Sequence, residues 1–490
     1  MSNIDVIGFS RETFFQYVGE DSPQTNYLFN YINHLKAKTI ILEKKYIDRH
    51  YMEEFEHYYS NCFSGIKNTC QRLHFFSEKI IKKVFDSCLL GNHQQIKNLQ
   101  DFYLGFIVLR PLATIRIGRT VLETYRDNPK RKYLTRNYKV HLSGIELSVD
   151  SIAFQQQDIG VGACATTAIW SSLQKVCSSN GYKCPGPFSL SQKASQFSVP
   201  FGRVFPQTVG LTSEQMYQAI IGNGFTPLRI NCSDKSFNQF KAILLSYLRS
   251  DIPPIMNLQP ITNEEGHAVA ITGYSEKDGV CNFDRFYLTK DIDKIYIHDD
   301  RNGPYTSARL FEREFSRRER RIAIDMGFYS KKAVAIMIQD EEWLVSEMIV
   351  PLYHKIRADY VEIMKLANPL LQTLRTVLKE KLPYMVDLSI LKGGDFLKKI
   401  IEDNSLPQDK KINFLSSISL PRYTGVVEVY SKSKRYFSVL YDTTDISRVK
   451  RGSMKDYFND VLGIVCYDSN SRNFFSHILE MEEITNSFLL

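Results

Sequence analysis

Cys164 follows Gly160-Val-Gly-Ala and opens the run Cys-Ala-Thr-Thr-Ala-Ile-Trp. Small residues at the entry, then Ala168, Ile169, Leu173 and Val176, predict a buried helix whose first turn carries the cysteine. A helix start presents unpaired backbone N–H groups and partial positive charge, which favour a thiolate over a thiol. A nucleophilic thiolate needs an imidazole that pairs with it and later protonates the leaving group. His267 stands downstream in Gly-His-Ala-Val-Ala-Ile-Thr-Gly-Tyr, a strand-like run in which Gly266 would leave the ring open. A third group must accept from the other ring nitrogen, and Asp299 ends the strand-like stretch Lys294-Ile-Tyr-Ile-His-Asp. Strand alternation puts Ile295, Ile297 and Asp299 on one face and Tyr296, His298 and Asp300 on the other. Asp299 is preferred because it continues the core-facing apolar row. Acyl transfer also needs donors for a developing oxyanion. The backbone N–H of Cys164 and the amide of Gln157 are expected to supply them, with Gln156 a close second.

Each residue alone has an ordinary reading: a buried helix cysteine, a satisfied core histidine, a turn-forming aspartate. The chain order Cys, His, Asp, with an upstream glutamine, carries the chemical signal. Cys177 and Cys184 raise the idea of redox switching against Cys164, but read as ordinary thiols and receive no role. His50, His57 and His298 lack HExxH or CxxC spacing, so no metal and no cofactor are expected. Gly160-Val-Gly162 does not continue into a phosphate-cradling motif. Arg313, Arg317, Arg318, Arg320 and Arg321 alternate with Glu312, Glu314 and Glu319, which reads as a solvated face.

The elements that position these residues belong to a chain of 490 residues, 43% hydrophobic and 24% charged, within the range of globular proteins. The net charge of +8 is a mild excess for this length and argues against a dedicated nucleic-acid binder. The longest uncharged apolar runs reach about six residues, far short of the ~20 needed to span a bilayer, so no membrane partner is expected. Nine scattered cysteines without a CxxC pair fit reduced thiols, and the first residues lack a charged flank followed by an apolar core. The expected compartment is the cytoplasm.

Three successive units are expected. Residues 1–145 mix β-branched and aromatic runs (Thr39 to Leu42, Arg72 to Phe76, Tyr103 to Leu109) with a helix near His93 to Leu99; the mixture reads as α/β or α+β and is taken as an N-terminal α/β domain. Residues 146–335 place helices before strands, an α+β order. Within them Thr212, with Gln215 three residues on, forms a capping box that starts a helix ending at Gly222-Asn-Gly224. Residues 340–490 read as a C-terminal α/β module, with helical spacing from about Ser346 to Lys381 and strands from Tyr423 to Tyr441 and Leu462 to Tyr467.

The glutamines followed by Gly-Val-Gly-Ala-Cys-Ala-Thr-Thr, then Gly-His-Ala-Val-Ala-Ile-Thr-Gly-Tyr, then Ile-His-Asp-Asp-Arg-Asn-Gly-Pro-Tyr resemble the papain-like cysteine peptidases. The closest branch is the bacterial peptidases that cut double-glycine leader peptides. The resemblance covers about residues 150 to 310 and implies a papain-like α+β fold. It further implies Cys164 as nucleophile, His267 as base, Asp299 as orienting residue and Gln157 as oxyanion donor. Such enzymes commonly carry the glutamine six residues before the cysteine, where this chain has Asp158.

The expected function is therefore a cytoplasmic thiol hydrolase that cleaves a peptide or isopeptide bond in a protein or peptide substrate. The flanking domains would select that substrate or hold a partner protein. Two alternatives keep the same scaffold: a deamidase or acyltransferase acting on a protein side chain, and a catalytically inactive binding module.

Overall fold

The computed structural model describes residues 3–19, 22–112, 116–156, 164–196, 210–261, 266–282, 287–316, 319–332, 335–378, 384–431, 434–444 and 460–481. They form two compact units, neither continuous in sequence. The first comprises Met1–Asp234, Ile252–Ser275 and Asp293–Leu352; the second comprises Lys235–Asp251, Glu276–Ile292 and Tyr353–Leu490.

The first unit begins with a five-stranded sheet of β1 (Ile4–Gly8), β2 (Thr39–Tyr46), β3 (Cys70–Phe76), β4 (Tyr103–Leu109) and β5 (Ile117–Leu122), ordered as in the chain. All four pairings are antiparallel. This corrects the α/β expectation for residues 1–145: antiparallel neighbours need no crossover, so the intervening helices are free to lie elsewhere. Two of them, α1 (Arg11–Val18) and α2 (Pro23–His34), start at Ser10 and Ser22. Each serine accepts from the backbone N–H of a threonine three residues on, and that threonine's hydroxyl accepts from the serine's own N–H. Phe14, Val18, Leu28 and Ile32 from these helices pack on Ile40, Leu42, Leu73 and Phe75 of the sheet. The later connections carry α3 (Arg49–Glu54), α4 (Lys82–Leu89) and α5 (His93–Asp101), the last of them the helix expected near His93.

That same core takes in Phe154, Tyr296 and Tyr305. The Tyr305 hydroxyl accepts from the Ile152 N–H at 2.7 Å and lies 3.2 Å from the Ser151 hydroxyl, while the Tyr27 hydroxyl donates to the Pro304 carbonyl at 2.7 Å. One core thus spans the boundary expected near residue 145. Tyr305→Phe should lower stability by about 1–3 kcal/mol, because it leaves the buried Ile152 N–H without an acceptor. A urea midpoint equal to that of the parent protein would refute this account.

Beyond β5 come β6 (Arg131–Tyr133), the hairpin β7 (Arg136–Leu142) and β8 (Ile145–Ser151), then α6 (Cys164–Asn180), α7 (Pro187–Ala194), α8 (Ser213–Gly222) and β9 (Phe225–Asn231). The expected capping box of α8 is present: the Thr212 hydroxyl accepts from the Gln215 N–H, and the Gln215 amide oxygen accepts from the Thr212 N–H. The strands β10 (Ile255–Pro260), β11 (His267–Asn282), β12 (Tyr287–Asp299), β13 (Gly303–Ser316), β14 (Glu319–Lys332) and β15 (Ala335–Tyr353) pair successively. Because β10 pairs with both β11 and β15, and β11 also with β12, the six strands close into a ring. Antiparallel β-structure with neighbouring helices makes the chain α+β.

Residues 346–353 were expected to begin a helix but form the end of β15. Met348, Ile349, Val350 and Leu352 are all buried. An apolar run covered on both faces does not separate strand from helix by period, and pairing with β10 decides the outcome.

The second unit contains α9 (Phe237–Arg249), α10 (Tyr360–Leu378), β16 (Tyr384–Lys392), α11 (Gly393–Glu402), α12 (Gln408–Ser417), β17 (Tyr423–Ser431), β18 (Lys434–Asp442), β19 (Val461–Cys466) and α13 (Ser469–Met481). The strands β16 to β19 pair antiparallel in sequence, and only the short contact of Tyr287 and Leu288 with β16 is parallel. Here too the expected α/β order gives way to α+β. Residues 235–251 and 276–292, assigned by sequence to the middle domain, belong to this unit; the buried ion pair Lys241–Asp291, 2.5 Å, lies within them. No helix among the described residues is long and apolar enough to cross a membrane.

Candidate active site

Cys164 is the first residue of α6 and is partly exposed. The helix behind it is fixed from several sides. Trp170 is fully buried, the Ser171 hydroxyl donates to the Ala153 carbonyl at 3.1 Å, and the Ser172 hydroxyl donates to the Pro253 carbonyl at 2.5 Å. The Thr167 hydroxyl closes the first turn by donating to the Cys164 carbonyl at 2.9 Å. The thiol is therefore carried by a helix start that is fixed in place.

His267 opens β11 and Asp299 closes β12, so antiparallel pairing brings the first residue of one strand beside the last of the other. The His267 Nε2 lies 2.9 Å from Asp299 Oδ1, and the Cys164 thiol is within hydrogen-bonding reach of the same ring. Burial alone would push the imidazole toward its neutral form. The Asp299 carboxylate and the Cys164 sulfur outweigh it, and the pKa is pushed up to about 10. At neutral pH both ring nitrogens therefore carry protons. Asp299, almost fully buried, is held well below the ordinary carboxylate range by His267 and Arg301 against the cost of its burial.

Strict alternation, the sequence argument for Asp299 over Asp300, does not hold at this strand end. The register of β12 against β13 breaks between Ile297 and Asp299, a bulge that turns two successive carboxylates toward one imidazole. Asp300 Oδ1 stands 3.7 Å from His267 Nε2, and burial raises its pKa. Asp299 makes the closer contact and also accepts from the Arg301 N–H at 3.1 Å. His298 is buried against Phe154 and Tyr305, and burial pushes its pKa down to about 3, which keeps it neutral.

Two neighbours were not foreseen. Trp343 of β15 lies with its ring centroid 5.8 Å from that of His267, and the Arg301 guanidinium stands 5.0 Å over the Trp343 ring. Only the rarity of tryptophan, two in the chain, could have flagged that position. A Cβ at Gly266 would come to 3.2 Å of the Leu258 carbonyl, so the glycine also eases the close approach of β10.

Gln157 and Gly160-Val-Gly162 lie outside the described residues. The segment leading to Gln157 is anchored. The Gln156 N–H donates to the Ile117 carbonyl at 3.3 Å, and its carbonyl accepts from Arg110 at 3.1 Å. Gln155 is spoken for, its amide donating to Glu54 at 3.2 Å, and Glu54 in turn pairs with the fully buried Arg110. Arg317 and Arg318 also fall outside the described residues; Arg320 and Arg321 are exposed and paired with Glu312 and Glu319.

The ligand atoms of His267, Asp299 and Asp300 lie within 4.8 Å of one another and could hold a cation. To do so the imidazole would have to give up the proton that the two carboxylates stabilise. The arrangement suits acyl chemistry better, with a sulfur nucleophile at a helix start, an imidazolium beside it, and carboxylates behind.

In comparisons with known proteins, no protein-family profile and no curated protein matches the chain.

Proposed function

We propose that the chain is a papain-like cysteine hydrolase that cleaves a peptide or isopeptide bond of a protein substrate in the cytoplasm. The observation that carries this reading is the imidazole of His267 standing between the Cys164 thiol and the Asp299 carboxylate. In the reaction the Cys164 thiolate attacks the scissile carbonyl carbon, and the tetrahedral oxyanion accepts from the Cys164 backbone N–H and from the amide of Gln157 or Gln156. Imidazolium gives its proton to the departing amine as the C–N bond breaks, leaving a thioester. The now neutral imidazole takes a proton from water, whose oxygen attacks the thioester; the carboxylic acid is released and the thiolate–imidazolium pair returns. Asp299 keeps the ring oriented and stabilises its charge without taking a proton.

The test is a peptide library incubated with the full chain and with Cys164→Ala, read by mass spectrometry. Fragments that appear only with the parent protein are expected. Intact targets heavier by about one dalton would move the reading to side-chain deamidation, which uses the same thiol. A library equally unchanged by both proteins would sink the hydrolase reading in favour of a binding module.

A further inference from the structure

A second cysteine pair lies at the other end of α6. The helix ends where Gly181 takes φ +74°, a left-handed conformation that suits glycine. The Tyr182 N–H reaches back to the Cys177 carbonyl at 2.9 Å and the Gly181 N–H to the Ser178 carbonyl at 3.3 Å, the paired bonds of a Schellman turn. This turn folds the chain back over the last helical turns. The Cys184 sulfur comes to lie 3.7 Å from the Gln174 carbonyl, to which the protonated thiol donates, and the Cys177 thiol faces it as a hydrogen-bond donor.

The surroundings are set for an anion. Arg136 of β7 directs Nη1 to the Cys184 sulfur at 2.9 Å, and the same guanidinium lies 4.1 Å over the Tyr138 ring. Its other acceptor is the Gln174 carbonyl at 3.3 Å, and among the described residues no carboxylate pairs with it. A thiolate at Cys184 is thus the counter-ion within reach. Arg49 adds a second guanidinium, donating to the Cys184 carbonyl at 2.8 Å and fixing the loop. These contacts favour the charged form of Cys184 while the Cys177 thiol keeps its proton. Cys184 is partly exposed and Cys177 buried, so a small oxidant meets Cys184 first.

We propose that Cys184 and Cys177 form a peroxide-sensitive thiol site, in which Cys184 is the reacting thiolate and Cys177 the resolving thiol. The Cys184 thiolate attacks one oxygen of hydrogen peroxide or an organic hydroperoxide. The O–O bond breaks, hydroxide or alkoxide leaves, and Cys184 becomes a sulfenic acid. The Cys177 sulfur then attacks the Cys184 sulfur, its proton leaves with the sulfenic hydroxyl as water, and an S–S bond forms. Two thiols lose two electrons and the peroxide gains them; a thiol reductant reverses the step. The site does not depend on Cys164 or on the proposed hydrolase activity.

The test treats the full chain with hydrogen peroxide, blocks free thiols and maps the tryptic peptides without reduction; cleavage after Lys183 separates the two cysteines. A linked pair containing Cys177 and Cys184, released by dithiothreitol, is expected. In Cys177→Ser, Cys184 should instead accumulate as a sulfenic acid captured by dimedone. Arg136→Met should slow the loss of Cys184 by about tenfold, and Arg136→Lys, which restores the charge, should recover much of the rate. Cys177 and Cys184 remaining reduced while Cys62 or Cys164 oxidises would overturn the proposal. So would a Cys184 rate that ignores both Arg136 substitutions, or a disulfide from Cys184 to any other cysteine.

Discussion

His267→Ala is expected to lower kcat/KM for the cleaved peptide at pH 7 by about 10²–10⁴-fold, the usual worth of a positioned acid–base group. The loss should appear in kcat, since the imidazole acts on the bond being broken. Alkylation of Cys164 by iodoacetamide, mapped by peptide, should slow as well, because removing the imidazolium leaves the thiolate without its partner. His267→Asn fills the same buried space with a polar group and should show the same defect, which separates chemistry from packing. A kcat/KM within tenfold of the parent in both variants would place the acid–base group elsewhere. Asp299→Asn should cost less than His267→Ala. Asp300 stands 3.7 Å from the same nitrogen and can inherit the role. Asp300→Asn should be the mildest, because Asp300 stands farther from the ring nitrogen than Asp299, 3.7 Å against 2.9 Å. The double variant should then lose more than the two single losses combined, the sign of groups acting on one partner.

That Cys164, His267 and Asp299 would meet was legible because each stands at the end of an element with a clear local signal. Small residues lead into α6, an apolar run follows His267, and a β-branched strand stops at Asp299 in a turn. The bulge at the end of β12 was not legible. Nothing in Ile-His-Asp-Asp distinguishes a regular strand end from one that aims both carboxylates the same way, since the break is set by pairing with β13. The N-terminal strands were recognisable one by one from their aromatic and β-branched content, but their direction was not: an antiparallel pair and a βαβ unit share composition, and length alone separates them poorly. The sharing of one core by the first 150 residues and a distant stretch of the chain was equally hidden. Tyr305 enters the core of the first 150 residues through contacts far apart in the sequence, and no local pattern encodes its partner. The pairing of Cys177 with Cys184 could have been suspected from Gly181, a helix stop that turns the chain back, but not the placement of Arg136 against it.

The pH profile gives the sharpest view of His267. Its folded pKa, about 10, lies above the ordinary imidazole value of about 6.5, so the charged ring is favoured by folding. Its contribution to stability is therefore fully present below about pH 6.5 and is lost as pH rises toward 10. Asp299 is shifted the opposite way, so its contribution is present above the ordinary carboxylate value of about 3.9 and is lost as pH falls further. In the proposed hydrolysis the imidazolium proton must reach the leaving amine, so kcat/KM should hold through neutral and mildly alkaline pH and fall as pH approaches 10. In Asp299→Asn the attraction that raises the value is weakened while the opposing burial remains, so the alkaline limb should move to lower pH. It should move further in the variant lacking both carboxylates, where only the Cys164 sulfur is left to oppose burial. Pairing of rate profiles with urea midpoints across pH 4 to 11 distinguishes the origins: a limb set by His267 shifts with the carboxylates, whereas one set by general unfolding tracks the midpoint in every variant. An alkaline limb that stays fixed when both carboxylates are removed would mean that Asp299 and Asp300 do not hold the proton on His267.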